Sequence, residues 1–334
     1  MSSRSRFLFI FIVTLTLQSR AISQQATVIS RQPMGTAHLD VSDTSIERWD
    51  KLSLEDNNLR PDPPIAGQTD TFPEFTRELL RVKWRGGDPI DLYIVRPAGV
   101  ANPPVILYLY GYPAEAVRLL DHDFCKTLTK QGFAAIGFSP MLTGQRYHDV
   151  SMKEWFVSDL QRSLVGTTHD LQMVLNYLTT RGDLDVSRVG IFGEGSGATV
   201  AVLAASVDKR IQAIDLLNPW GDWPDWLAAS RIVPDSERAD YMKPDFLQSI
   251  APLDPVFVLP KLDRTAVRLQ QTLWDSSKTP ATSRDRIAAS LPPSDVVARY
   301  KDQQDYLEKV GNSGKMLDWM YNSLAARRES QSGN

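Results

Sequence analysis

Residues 188–197 read Arg188-Val189-Gly190-Ile191-Phe192-Gly193-Glu194-Gly195-Ser196-Gly197. Val189 to Phe192 is a short apolar run closed by glycines, and Ala198-Thr199-Val200-Ala201-Val202 follows it with small residues only. An apolar run of that length, then a glycine cluster, then a small-residue run predicts a buried strand, a sharp turn and a tightly packed helix.

Working outward, the same alternation recurs on both sides. Val105-Ile106-Leu107-Tyr108-Leu109-Tyr110, Phe133-Ala134-Ala135-Ile136-Gly137-Phe138 and Ile211-Gln212-Ala213-Ile214-Asp215-Leu216-Leu217 are nearly continuous apolar runs. Runs of this kind fit strands buried on both faces of a parallel sheet. Helical patterns separate them, around 119–130 and over 165–180, where Leu171, Val174, Leu175 and Leu178 fall on one face. Ahead of them, Leu80, Val82 and Trp84 alternate with charged residues, Gly86-Gly87-Asp88-Pro89 supplies a turn, and Ile90, Leu92 and Ile94 alternate again, which predicts an antiparallel hairpin. Residues 266–273 and 294–300 read as the last strands and 313–327 as a closing helix. The fold class expected is α/β: a mostly parallel sheet with an antiparallel hairpin at its start and helices on both faces.

The chain has 334 residues with 42% hydrophobic and 23% charged, values ordinary for a globular protein. Its formal net charge of −3 gives no reason to expect nucleic acid or an anionic membrane as partner. Residues 1–23 carry Arg4 and Arg6, an apolar stretch from Phe7 to Leu17, and the small residues Ala21 and Ser23, the pattern of a signal peptide. That predicts a secreted or periplasmic protein with no membrane association after cleavage. An uncleaved anchor is the alternative, although the apolar stretch is shorter than the roughly 20 residues a span needs. Residues 24–75, rich in Pro, Asp and Thr, read as an extended lead-in with at most a short helix near Trp49, which is expected to dock on the body. Residues 76–327 form the single main domain with an aromatic insert at about 219–250, and 328–334 read as a disordered tail. Cys125 is the only cysteine, so an internal disulfide is impossible. His38, His122, His148 and His169 show no metal-ligand spacing, and neither a metal nor a cofactor is expected.

In this order of elements the chain resembles the α/β-hydrolase superfamily, most of all its secreted esterase, dienelactone-hydrolase and prolyl-oligopeptidase-like branches. Tyr110-Gly111-Tyr112-Pro113 stands where the family usually has His-Gly, 193–197 matches the G-x-S-x-G elbow displaced by one, and Ile250-Ala251-Pro252-Leu253 resembles a Ser-Pro-Leu before the seventh strand. The resemblance covers roughly residues 76–326. It implies a serine nucleophile on the strained turn, a histidine base after the last strand and a carboxylate that orients it. It also implies an oxyanion hole of backbone N–H groups near Gly111, Tyr112 and Ser196, each donor worth about 3–4 kcal/mol in catalysis.

Aligned on the resemblance, Gly195 takes the nucleophile position and Ser196 starts the helix, about 100° further round its axis. No histidine follows His169; Gln303-Gln304 or Gln304-Asp305 stands where Gly-His would be. Asp275, in the loop after 266–273, is the candidate for a retained acid, with a turn or cap aspartate as the ordinary alternative. Loss of one triad member removes several orders of magnitude, and further losses cost little more. An exported, catalytically impaired hydrolase scaffold that retains a ligand pocket is therefore the leading expectation. Two others stay open: an active ester hydrolase with a rearranged site, using Ser196 or Glu194 with His148, and a structural or partner-binding protein. Ser196 as a helix cap or packing residue and His169 as a core or surface residue are the ordinary readings. The aromatic insert, with Trp220, Trp223 and Trp226 three apart, either lines a pocket with Tyr110 and Tyr112 or packs the insert onto the body. A small molecule or an ester is the expected partner, and the oligomeric state is not legible.

Overall fold

A computed structural model describes residues 47–54, 61–85, 88–114, 116–147, 155–274, 279–311 and 317–332. The leader at 1–23, His38, His148 and Asp275 lie outside the described residues.

The chain enters with β1 (Ile65–Thr71), β2 (Phe75–Val82) and β3 (Ile90–Pro97), which pair antiparallel in that order. The hairpin expected from the alternation of 80–94 is β2 and β3. β1 belongs to the stretch read as an extended lead-in. Its residues are nearly all exposed, because it is the edge strand of the sheet and has little apolar surface to bury. β4 (Pro104–Leu109), α1 (His122–Thr129), β5 (Ala134–Phe138), α2 (Leu160–Thr180), β6 (Asp185–Glu194), α3 (Ser196–Val207) and β7 (Ile211–Leu217) follow. Every residue of β4, β5 and β7 is buried, as continuous apolar runs require in a parallel sheet covered on both faces.

After β7 come four short helices, α4 (Trp223–Ala229), α5 (Asp235–Tyr241), α6 (Pro244–Ile250) and α7 (Pro255–Val258). β8 (Ala266–Thr272), α8 (Ala281–Ala289), β9 (Val296–Tyr300), α9 (Gln303–Tyr306) and α10 (Asp318–Ser332) close the chain. Among the described residues the closing helix runs from Asp318 through Ser332, into the stretch read as a disordered tail. The strand order is β1-β2-β3-β5-β4-β6-β7-β8-β9, antiparallel as far as β5 and parallel beyond it. Two apolar layers flank the sheet: one joins α2 and α3 to it, the other α1 and α10. No described helix is long and apolar enough to cross a membrane.

The segment 47–54 is held by a buried ionic cluster. Arg85 forks onto Glu47, with Nη2–Oε1 2.6 Å and Nε–Oε2 2.7 Å. Asp170 of α2 receives Arg85 Nη1 and Trp84 Nε1 on one oxygen and faces Arg146 Nη2 at 2.8 Å on the other. Arg146 also pairs with Asp88. His169 is fully buried, with Glu47 Oε1 2.7 Å from Nδ1 and the Lys51 carbonyl 2.8 Å from Nε2; the ring satisfies both acceptors only as a double donor. His169 is thus a core residue, and Trp49 stacks near it on the body with Arg85 over its ring.

Burial alone would raise the Glu47 carboxyl, but hydrogen bonds and charge from Arg85 and His169 outweigh it and hold the group below its ordinary value. A carboxylate with a depressed folded-state pKa contributes stability above its unfolded pKa and loses it as pH falls through the folded one. The stability difference between wild type and Glu47→Gln is therefore expected to be full at neutral pH and to shrink below about pH 4. Urea titrations of both proteins across pH 3–7 check this; a difference that grows on acidification contradicts it.

Candidate functional site

The site is built where β6 turns into α3. Gly195 caps the helix with φ 56° and ψ −121°, a region that side chains other than glycine enter only under strain. Its N–H donates to the Leu217 carbonyl at the end of β7, and its own carbonyl accepts from the Ala198 and Thr199 amides in the first turn of α3. The turn is thus pinned to the neighbouring strand on one side and to the helix on the other. Gly197 is required for a different reason: a Cβ there would lie 2.2 Å from the Leu109 carbonyl oxygen, so only glycine lets α3 pack this close to β4.

A side chain on Gly195 would begin 3.6 Å from Gly111 Cα and 3.1 Å from Trp220 Nε1. The apex therefore points at the loop after β4 and at the indole of Trp220. That indole is fully buried, with its N–H unpartnered. It packs on Trp226 with ring centroids 4.5 Å apart and edge-on to Phe156. The Trp220 amide reaches toward the Gly195 carbonyl at 3.4 Å, and its carbonyl accepts from Thr199 Oγ1 at 2.6 Å. Trp220 is held in place as a wall of the elbow.

Ser196 is buried at the start of α3, and its Oγ accepts a hydrogen bond from the Tyr112 N–H at 2.8 Å. Tyr112 follows Gly111 in the loop after β4, where the resemblance places an oxyanion donor. That amide is engaged by the serine hydroxyl instead of facing open space. Gly111 brings its backbone against Glu194: a Cβ on Gly111 would stand 2.6 Å from the Glu194 carbonyl oxygen. Glu194 ends β6, half-buried, opposite Leu217.

Other expected site residues fall elsewhere. The Tyr110 ring belongs to the apolar layer of α1 and α10, where burial pushes its hydroxyl well up; the ring is core rather than pocket lining. Among the described histidines, His122 sits against Phe72 and Phe75 and His169 in the cluster with Glu47. The position of a late histidine, after β9, is the N-terminus of α9, where Asp302 Oδ1 caps the Asp305 amide and Asp305 pairs with Lys309. Those side chains serve the helix.

All three tryptophans of the insert are buried in the core, Trp220 and Trp223 each packed on Trp226; Trp223 also borders a cavity of about 310 Å3 between α4, α6, α7 and α8. A larger groove, about 830 Å3, opens between Pro61–Pro64, the end of α2 and Val207–Arg210. The end of α2 and Val207–Arg210 lead into the starts of the parallel strands β6 and β7, the end of the sheet away from the elbow.

No protein-family model matches the chain. Solved structures do. An acetyl xylan esterase from Paenibacillus sp. R4 superposes with TM-score 0.57 at 18% identity, covering 81% of this chain and 90% of its own. Acetyl xylan esterase 1 from Thermoanaerobacterium sp. JW/SL YS485 gives TM-score 0.57 at 13% identity over 73% and 82%. The acylaminoacyl peptidase of Pyrococcus horikoshii gives 0.53 at 14% over 80% of this chain and 50% of that one. The chain has the α/β-hydrolase fold. Within the α/β-hydrolase fold the elbow stands at the carboxyl end of β6, flanked by β4 and β7, with a glycine at its apex. What the sequence could not give was the Tyr112–Ser196 hydrogen bond and the indole at the apex, contacts between residues far apart in the chain.

Proposed function

We propose that this protein is an exported member of the α/β-hydrolase fold that has lost ordinary serine-hydrolase turnover and retains a pocket for a small molecule. The single observation that supports this most is the elbow apex: glycine with φ 56°, directed at the Trp220 indole, with the adjacent serine hydroxyl engaged by Tyr112. Acyl transfer needs a hydroxyl at the apex, a base in reach of it and free donors for the developing oxyanion. Here the apex has no hydroxyl, and the sequence has no histidine beyond His169 to act from after β9. The pocket half of the reading rests on the cavity at Trp223.

The rearranged alternative, Ser196 or Glu194 with His148, requires the Ser196 hydroxyl to leave Tyr112 before it can attack. Neighbours named as esterases make short acyl esters the substrate class to try. Turnover of 4-nitrophenyl acetate by the purified protein is expected at the background rate, unchanged in Ser196→Ala. Turnover above background that disappears in Ser196→Ala would establish the rearranged site instead.

A further inference from the structure

The two edges of the sheet are built differently. β1, at one edge, carries Gln68, Thr69, Asp70 and Thr71, and a register shift between Ala66 and Gln68 interrupts its pairing with β2. Polar, irregular edges keep a sheet from adding another strand. β9, at the other edge, has neither protection. It reads Val296-Val297-Ala298-Arg299-Tyr300, pairs with β8 through five consecutive residues without a shift, and has no strand beyond it among the described residues. Val296 is 43% exposed and Val297 41%, and Leu273 and Trp274, just past the end of β8, are exposed to the same extent.

Alternation puts this apolar surface on both faces of the edge. Arg299 reaches Gln271 and Asp285, so Val297 and Arg299 lie on the α8 face. Tyr300 packs on Tyr306, so Val296, Ala298 and Tyr300 lie on the face of α9. The backbone is open as well. The Tyr300 carbonyl accepts from the Leu273 amide and therefore points inward, along the line of β8. Successive residues of a strand turn their N–H and C=O groups to opposite sides, so those of Val297 and Arg299 point outward.

We infer that β9 is the surface through which two copies of this chain associate, antiparallel across a two-fold axis at Ala298, joining two nine-stranded sheets into one. The strand is complementary to itself in this register. Val297 of each copy stands opposite Arg299 of the other, and these are the residues whose outward N–H and C=O groups an antiparallel pair exchanges. Val296 stands opposite Tyr300 on the other face. Ala298, the smallest side chain of β9, meets itself at the axis, in the pair where antiparallel backbones come closest. Asp295 falls opposite Lys301, so no like charges meet. The contact is isologous, the commonest form of association between identical chains. A pair of five-residue strands is small for an interface, so the dimer is reversible and depends on concentration.

Sedimentation equilibrium of the purified chain, from about 1 to 200 µM, tests this and is expected to show a monomer–dimer equilibrium. Over the same range, hydrogen exchange at the Val297 and Arg299 amides is expected to slow in step with the dimer fraction. Val297→Lys sets a lysine opposite Arg299 at two symmetry-related places and is expected to raise the dissociation constant about tenfold or more. Adding Arg299→Glu to it sets opposite charges at the same two places and is expected to restore association to within about threefold of wild type, a recovery that a folding defect does not give. Thr69→Lys, on the other edge, is expected to change nothing. A monomer across the whole range overturns the inference. So does a dimer that Val297→Lys leaves intact, exchange at those amides that ignores concentration, or a double variant no tighter than Val297→Lys alone.

Discussion

Asp170→Asn is expected to lower the free energy of unfolding by about 3–5 kcal/mol, the usual result of removing one partner from a buried ionic cluster. Asp170 is fully buried and serves both sides of the cluster: Oδ1 receives Trp84 Nε1 and Arg85 Nη1, and Oδ2 faces Arg146 Nη2. An asparagine has one acceptor and one NH2 group. In either orientation its NH2 meets donors, Trp84 and Arg85 in one case and Arg146 in the other. Two buried guanidinium groups then keep their charge with one carboxylate fewer to balance it. Since Arg85 also holds Glu47, the segment 47–54 is expected to loosen first, and hydrogen exchange at the Leu54 amide, bonded to Gln172 on α2, reports it. Urea unfolding gives the magnitude; a change under about 1 kcal/mol means the cluster is incidental to stability.

Trp220→Ala is the second large effect, about 3–5 kcal/mol of destabilisation, as for other buried tryptophans truncated to a methyl group. The indole fills the space between the elbow, Trp226 and Phe156, and α3 cannot collapse into the void because Thr199 and Gly195 fix it to the backbone of residue 220. Trp220→Phe is expected to cost clearly less, since the N–H it deletes has no partner and most of the ring contacts remain. Chemical denaturation of the pair separates packing from polarity. Equal costs for the two substitutions would mean that the N–H, rather than the bulk of the indole, holds the wall of the elbow.

Much of the fold was legible because its signals are local. Continuous apolar runs at 105–110, 133–138 and 211–217 could only be satisfied by a sheet covered on both faces, and each is a central strand. β1 was read as part of a lead-in because Ile65–Thr71 is polar, and an edge strand facing water needs no apolar alternation. At the site, Gly195 was legible as the residue at the apex through the resemblance, which aligns 189–194 with the family's strand and turn. Its surroundings were not. Tyr112 and Ser196 are 84 positions apart, and no local pattern announces a hydrogen bond between them. Nor did three-residue spacing show that Trp223 borders a cavity while packing in the core with Trp220 and Trp226. The ionic cluster joins 47, 85, 88, 146, 169 and 170, which the sequence scatters over a lead-in, a hairpin, a loop and a helix.

We propose above all that the elbow has no working nucleophile. Fluorophosphonate labelling of the purified protein, read by intact mass and peptide mapping, tests it most directly, because the reagent reports an activated serine whatever the natural substrate is. The result predicted is the unmodified mass after prolonged exposure, in the wild type and in Ser196→Ala alike. A single adduct mapped to Ser196 and absent from Ser196→Ala would contradict the account and make this chain an active hydrolase with its nucleophile one residue late.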